Sequence, residues 1–289
     1  MSMKETKPKV IYLIGAGRSG TTILATLLNN SNSIVNVGEL HHLPDNIINE
    51  GLCSCGVKLI GCEKWSSVIS KEITSIEYMK QKSSIDSHLN NIVNIFLPNR
   101  FKLFERVNTR LFQSLSKENG YKQVLDAAKF PGRALALSRI SDLDTKFIYL
   151  VRDPRGVSYS FGKKVQTSKG IVSSCIYYNA INFLSEIYMR FFFKNSCIKV
   201  RYEDLLDNPE VVLKNIGLHL DEDLTSVSNK IRTDKYFSIG HIVGGNRLKE
   251  SREVKLRFDN RWLNDMKPWR RKIIYFLTFP FNFINGYKL

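Results

Sequence analysis

The chain is short of the features that mark secreted or membrane-spanning proteins. Its five cysteines are an odd number, which argues against a disulfide framework. Met1 to Lys9 is polar and charged, without the apolar core of a secretory signal, so a cytoplasmic location is the expectation. Ile273 to Ile284 is rich in aliphatic and aromatic residues, but it is too short to span a bilayer and is interrupted by Pro280. It reads as a packing helix and tail, over about 265–289, with peripheral membrane contact as the alternative because Arg270, Arg271 and Lys272 flank it. Acidic residues are also scarce, 27 against 43 Lys and Arg, for a net charge of +16 and a pI near 9.6. That excess points to an anionic partner. Nucleic acid is disfavoured, because the aromatics lie within apolar runs rather than interleaved with basic residues in an exposed stripe. No Gly/Ser-rich linker or internal repeat divides the 289 residues, which read as one domain with a core from 43% hydrophobic residues.

What is present begins with a loop. Gly15-Ala16-Gly17-Arg18-Ser19-Gly20-Thr21-Thr22 follows an apolar run, Val10 to Ile14, and precedes a helical one, Ile23 to Leu28. Strand, glycine loop and helix start make a phosphate cradle, since N–H groups at a helix N-terminus lack partners and sit at the positive end of its dipole. Two templates fit. Gly15, Gly17 and Gly20 match the dinucleotide pattern G-x-G-x-x-G, with Glu39 about twenty residues on in the place of a ribose-binding acid. Gly15, Gly20 and Thr22 match the frame of a P-loop, with Thr21 where the lysine belongs. Without that lysine the loop is not that of a kinase or ATPase, and Arg18 supplies the cation.

Further strands are expected at Ile34 to Val37, Gln123 to Leu125, Phe147 to Val151 and Ile198 to Val200, alternating with helices. That alternation predicts an α/β fold, a P-loop-like three-layer arrangement with a central parallel sheet flanked by helices. Apolar residues at helical spacing over about 66–117 predict a helical insertion, and a long helix is expected over Ile176 to Phe193. Polar residues gather where the strands end: Glu39 with His41 and His42, then Asp126 and Lys129, Arg152 to Arg155, and Tyr202 to Asp204. Cys53, Cys55 and Cys62 can be free thiols, a local disulfide or part of a zinc site, the last needing a fourth ligand from a distant residue such as His41 or His42.

Three separated segments, in order, resemble the PAPS-dependent sulfotransferase family, most closely its carbohydrate and tyrosylprotein branches and related bacterial members. Arg18-Ser19-Gly20-Thr21-Thr22 resembles the family's 5′-phosphosulfate loop; Phe147 to Phe161 resembles its 3′-phosphate motif; Val200 to Leu205 resembles its Y-E-D-L segment. The resemblance implies one sulfotransferase domain over 1–289, with PAPS as cosubstrate. It puts the 5′-phosphate on Gly17, Arg18, Ser19, Gly20, Thr21 and Thr22, the 3′-phosphate on Arg152 and Ser160 (Ser158 being the alternative), and the adenine near Tyr202. Lys129 lies where the family keeps a catalytic lysine, and Arg247 resembles its late basic loop over the cofactor.

In that reading the enzyme moves a sulfuryl group from PAPS to a hydroxyl on a carbohydrate or other polar small-molecule or glycan acceptor. Arg18 and Lys129 stabilise charge and Glu39 is the general base, with His41 or His42 as substitutes. No metal is expected in the reaction if arginine, lysine and backbone donors hold the phosphates. An NAD(P)-dependent oxidoreductase using Gly15 to Gly20, or a non-enzymatic nucleotide-binding protein, are the alternatives.

Overall fold

The computed structural model describes residues 7–72, 98–120, 122–163, 168–233, 235–244, 253–255 and 259–289. Apolar, β-favouring runs form five strands, β1 (Lys9–Ile14), β2 (Ile34–Gly38), β3 (Gln123–Lys129), β4 (Asp144–Val151) and β5 (Cys197–Arg201). They pair in the order β2-β3-β1-β4-β5, every neighbour parallel. Because successive side chains point to opposite faces of a strand, Tyr12, Phe147 and Tyr149 enter one core and Ile11, Leu13, Ile148 and Leu150 the other. Helices cover both faces, giving the three layers that the sequence implies.

The helices are α1 (Thr21–Leu28), α2 (Leu43–Ile48), α3 (Ser66–Glu72), α4 (Pro98–Asn119), α5 (Pro131–Leu137), α6 (Pro154–Gly162) and α7 (Ile171–Tyr188). After β5 come α8 (Tyr202–Asp207), α9 (Pro209–Leu220), α10 (Thr225–Arg232), α11 (Trp262–Asp265), α12 (Pro268–Leu277) and α13 (Phe279–Asn285). Leu24 and Leu27 of α1 and Leu213 and Ile216 of α9 fill one core; Phe104, Leu111 and Phe112 of α4 fill the other. The expected insertion contributes α3 and α4, while its middle, residues 73–97, lies outside the described residues. The long helix starts five residues earlier than its apolar pattern, at Ile171, and its expected last turn, Met189–Phe193, widens into a π-helix. A two-stranded antiparallel ribbon, β6 (Phe237–Ser238) with β7 (Glu253–Val254), lies outside the main sheet.

The tail is tied down at its end. Tyr287 donates from its hydroxyl to Glu203 at 2.9 Å, and Arg155 donates to the Lys288 carbonyl at 2.7 Å. Ile274 and Phe281 are buried, yet Trp269, Phe276, Phe279 and Phe283 face outward, Phe283 at 77% exposure. Among the described residues no helix is long and apolar enough to cross a membrane.

Candidate active site

The chain leaves β1 for β2 by way of α1, returns to β3 beside β1, and crosses to β4 on the other side. Ligand crevices form outside the carboxyl ends of strands at such a switch point. All the residues singled out at strand ends lie on this edge of the sheet.

The glycine loop follows β1 without a turn of slack. Gly15 has φ +149, and a β-carbon there would lie 2.3 Å from the Leu150 carbonyl oxygen; Gly20, at φ +95, would drive one to 2.3 Å from the Tyr202 ring. Both positions therefore need glycine, for conformation and for space. The Gly17 N–H donates to the Tyr177 hydroxyl at 3.0 Å. Gly20 precedes α1 without any side-chain cap, so the first amides of the helix keep their donor capacity. The Ser19 hydroxyl is buried and has no partner among the described residues. An orphaned buried hydroxyl beside uncapped amides fits a phosphate, which accepts from both. Arg18 adopts φ +71, a left-handed conformation uncommon outside glycine, and burial pulls its guanidinium below its ordinary pKa while the Glu39 charge works the other way.

At the end of β4, Arg152 is buried at 5% exposure and stacks 4.4 Å from the centre of the Tyr202 ring. It donates to the Arg18 carbonyl at 3.0 Å and to the Asp259 carbonyl at 2.7 Å. Its sequence neighbours are otherwise engaged: Asp153 pairs with Arg155 at 2.6 Å, and Glu203 accepts from the Asp153 amide at 2.9 Å and from Tyr287. Arg152 is thus a buried cation whose two donated hydrogen bonds go to neutral carbonyls, and among the described residues no carboxylate lies within ion-pair distance of it. Ser158 is buried on α6 and bonds Ser174 at 2.8 Å, whereas Ser160 is half-buried on the same helix. The site therefore brings Arg18, Arg152 and Tyr202 together around the loop; Arg247 lies outside the described residues.

Glu39 and Lys129 form an ion pair, their side chains 14% and 17% exposed. The second Glu39 oxygen lies 3.7 Å from His42 Nε2 and 4.0 Å from His41 Nε2. Asp126, which the sequence marks only as a polar residue at a strand end, organises this pair. It is fully buried, pairs with the equally buried Arg133 at 2.9 Å, and accepts from the amides of Leu40 (3.3 Å) and Ala128 (3.0 Å). One carboxylate thus fixes the residue after Glu39 and the residue before Lys129. Between Tyr12↔Asp126 and Ile14↔Lys129 the register slips by one residue, a bulge that re-aims the end of β3, and Lys129 has φ +71. Burial raises the Asp126 carboxyl, and the charge of Arg133 opposes that rise.

Asp126 was legible in principle, as a charge inside an otherwise apolar strand must have a buried partner. Tyr177 gives no comparable signal in a helix rich in aromatics; burial raises its hydroxyl's pKa, so it meets the Gly17 amide as a neutral phenol. Among the described residues, two groups have the donors to hold a metal. Glu39, His41 and His42 form one; Cys53, Cys55, Cys62 and His241 form the other, correcting the expectation that His41 or His42 would complete the cysteine cluster. No disulfide joins the cysteines in this structure.

No curated protein matches the chain. Solved structures that share its fold include the sulfotransferase domain from the curacin biosynthetic pathway, 17% identical, covering 99% of this chain and 100% of that one at a TM-score of 0.55, and the sulfotransferase domain from the Synechococcus PCC 7002 olefin synthase, 18% identical, covering 100% and 98% at 0.52. The profile of the sulfotransferase family matches residues 8–226, well over half of the chain and inclusive of every strand of the main sheet. The chain belongs to the sulfotransferase family.

Proposed function

We propose that this sulfotransferase takes the sulfuryl group from PAPS and delivers it to a hydroxyl of a carbohydrate or other polar acceptor. The observation that carries the cosubstrate is the link between two anion-binding features: the loop after β1, with its Ser19 hydroxyl lacking a partner among the described residues, touches the buried Arg152 at the end of β4 through the Arg18 carbonyl. A cosubstrate with phosphates at both ends accounts for both. A pyrophosphate dinucleotide accounts for the loop alone, and the Glu39 carboxylate, which that reading places on a ribose, is held by Lys129.

PAPS, when bound, supplies an activated sulfuryl group and a phosphate leaving group. The amides from Ser19 to Thr22 and the hydroxyls of Ser19, Thr21 and Thr22 hold the 5′-phosphate. Arg152 and Ser160 hold the 3′-phosphate, with Tyr202 beneath the guanidinium to keep it in place. An ammonium has three donors, of which Lys129 directs one to Glu39; the others serve the oxygen on which charge develops as the bond to sulfur breaks. Glu39 takes the proton from the acceptor hydroxyl. Its carboxylate is the basic group bound to Lys129, so proton removal and charge stabilisation are performed by adjacent residues. His42 sits farther out, with its side chain 44% exposed, in the better place to contact the acceptor.

Thermal-shift titration with PAP, NADH and ATP, without Mg²⁺, tests the cosubstrate. A ligand at 100 times its Kd stabilises by about 2.7 kcal/mol. PAP is expected to give such a shift, and stabilisation by NADH with none by PAP would overturn the proposal. Labelled PAPS with a panel of hydroxyl acceptors then identifies the acceptor class.

A further inference from the structure

The cluster of Cys53, Cys55, Cys62 and His241 stands apart from the proposed chemistry, and its parts come from distant places in the chain. Each residue offers one ligand atom, and the four atoms all lie within 4.8 Å of one another. Cys55 and Cys62 have their sulfurs 3.7 Å apart. That is far longer than the ~2.0 Å of a disulfide, and it matches the edge of about 3.8 Å expected for a tetrahedron with zinc–sulfur bonds of about 2.3 Å. Cys62 Sγ lies 3.2 Å from Nδ1 of His241, close to the sulfur–nitrogen edge of about 3.5 Å of the same tetrahedron.

The surroundings are built to the same end. Cys53 to Gly56 forms a tight turn, with the Gly56 amide donating to the Cys53 carbonyl at 2.9 Å and Gly56 at φ +87 with open space around its α-carbon. This turn points two thiols the same way across a single intervening residue. The other ring nitrogen of His241 faces Glu63 at 3.6 Å. A carboxylate behind a histidine in this way orients the ring and raises its basicity toward a metal. Trp65 fixes the histidine's own backbone, its indole N–H donating to the His241 carbonyl at 2.9 Å.

We propose that these four residues bind one structural zinc ion in a closed Cys₃His site. Three thiolates and one imidazole are a soft donor set suited to zinc, and four protein ligands leave no open position for catalysis. The ion would fasten the segment after α2 to the loop at 237–244. That loop in turn holds the proposed base: Glu39 donates from its amide to the Val243 carbonyl at 2.8 Å, and Val243 donates to the Val37 carbonyl at 3.0 Å. Ser54, inside the cysteine turn, adds bonds to Gly240 and Ile242 at 2.6 and 2.9 Å. The metal is thus separate from the transfer reaction and secures the frame of the site.

The test is metal content of the full chain, purified under reducing conditions without a metal-affinity step. About one zinc per chain is expected, falling to near zero in Cys55→Ser and His241→Ala and unchanged in Cys197→Ser, which alters a thiol elsewhere. Glu63→Gln should keep the ion but release it to a chelator roughly tenfold more readily, the lower end of the usual effect of such a partner. Should the ligand variants fail to fold, the wild-type protein exchanged into Co²⁺ still decides: a tetrahedral cobalt–thiolate spectrum supports the site. An octahedral spectrum, a zinc content far below one per chain, or a Cys55–Cys62 disulfide in its place would overturn it. None of these readouts involves PAP or an acceptor, so they stand whether or not the cosubstrate assignment does.

Discussion

Replacing Arg152 by alanine gives the sharpest test of how the cosubstrate is held. Two of the five donors that a guanidinium carries go to the carbonyls of Arg18 and Asp259, and the rest are available to a ligand. A hydrogen bond to a charged group contributes about 1.5–3 kcal/mol, and at the upper end its loss weakens binding about 100-fold, since each 1.4 kcal/mol is tenfold. The variant also loses both carbonyl contacts and disturbs the glycine loop, which would weaken any nucleotide. Comparing PAP with 5′-AMP by calorimetry separates the two effects, because AMP lacks the 3′-phosphate but uses the same loop. The PAP affinity should fall about 100-fold and the AMP affinity much less, and Arg152→Lys should recover only part, keeping the charge without the planar fork. Equal losses for the two ligands would reduce Arg152 to a brace for the loop. An unchanged PAP affinity would remove the 3′-phosphate site from β4 altogether.

Glu39→Gln should leave PAP affinity intact and lower turnover by roughly 10² or more, the scale of a general base; full turnover would move the role to His41 or His42. Asp126→Ala strands the buried Arg133 charge, so it should cost about 3–5 kcal/mol in denaturant unfolding, and a loss under about 1 kcal/mol would contradict the pairing. Burial raises the Glu203 carboxyl, so the folded protein holds this proton to higher pH than the unfolded chain, and its contribution is full below the ordinary carboxylate pKa and lost as pH rises through the folded value. Glu203→Gln should therefore lose less stability than wild type across that acid-to-neutral range, and a pH-independent difference between their melting temperatures would refute it. If the exposed aromatics of α12 and α13 and the adjacent basic residues meet a membrane surface, the protein should sediment with anionic vesicles at low salt and be released by added salt; the combined Arg270→Glu, Arg271→Glu, Lys272→Glu variant should stay in solution, and wild type that never sediments would exclude the contact.

The strands of the sheet were legible from their short apolar, β-favouring stretches, most clearly where a strand is buried on both faces. Phe147 to Val151 is the plainest instance, and its carboxyl end correctly locates Arg152 beside the glycine loop. The boundaries that slipped are those set by packing rather than by pattern. Ile171 to Cys175 joins α7 although its polar serines interrupt the apolar spacing, since Ser174 turns inward to meet Ser158. Likewise β3 runs on to Lys129, because the bulge at its end is stabilised by the Asp126 carboxylate and not by any local sequence preference. The partners of the candidate residues were the least readable part. Nothing near Cys62 in sequence indicates His241, 179 residues away, and nothing near Glu39 indicates that its amide will bond to Val243.

These long-range partners bear on how the proposed base is set. Glu39 follows the last residue of β2, where the sheet no longer restrains the chain, so its position rests on three contacts from other elements: its amide on Val243, the next amide on Asp126, and its carboxylate on Lys129. Two of these contacts are made by backbone amides, not by the Glu39 side chain, and would survive protonation of the carboxylate. The third would weaken when Glu39 accepts a proton from the acceptor, since a neutral carboxyl attracts an ammonium far less than a carboxylate does. Under the proposed mechanism Lys129 would then be freer to serve the departing phosphate at the stage when negative charge accumulates there. In the proposed reaction the pairing itself would set the order of events: proton transfer to Glu39 would loosen the cation that the leaving group needs, while Val243 and Asp126 would keep the protonated residue in place.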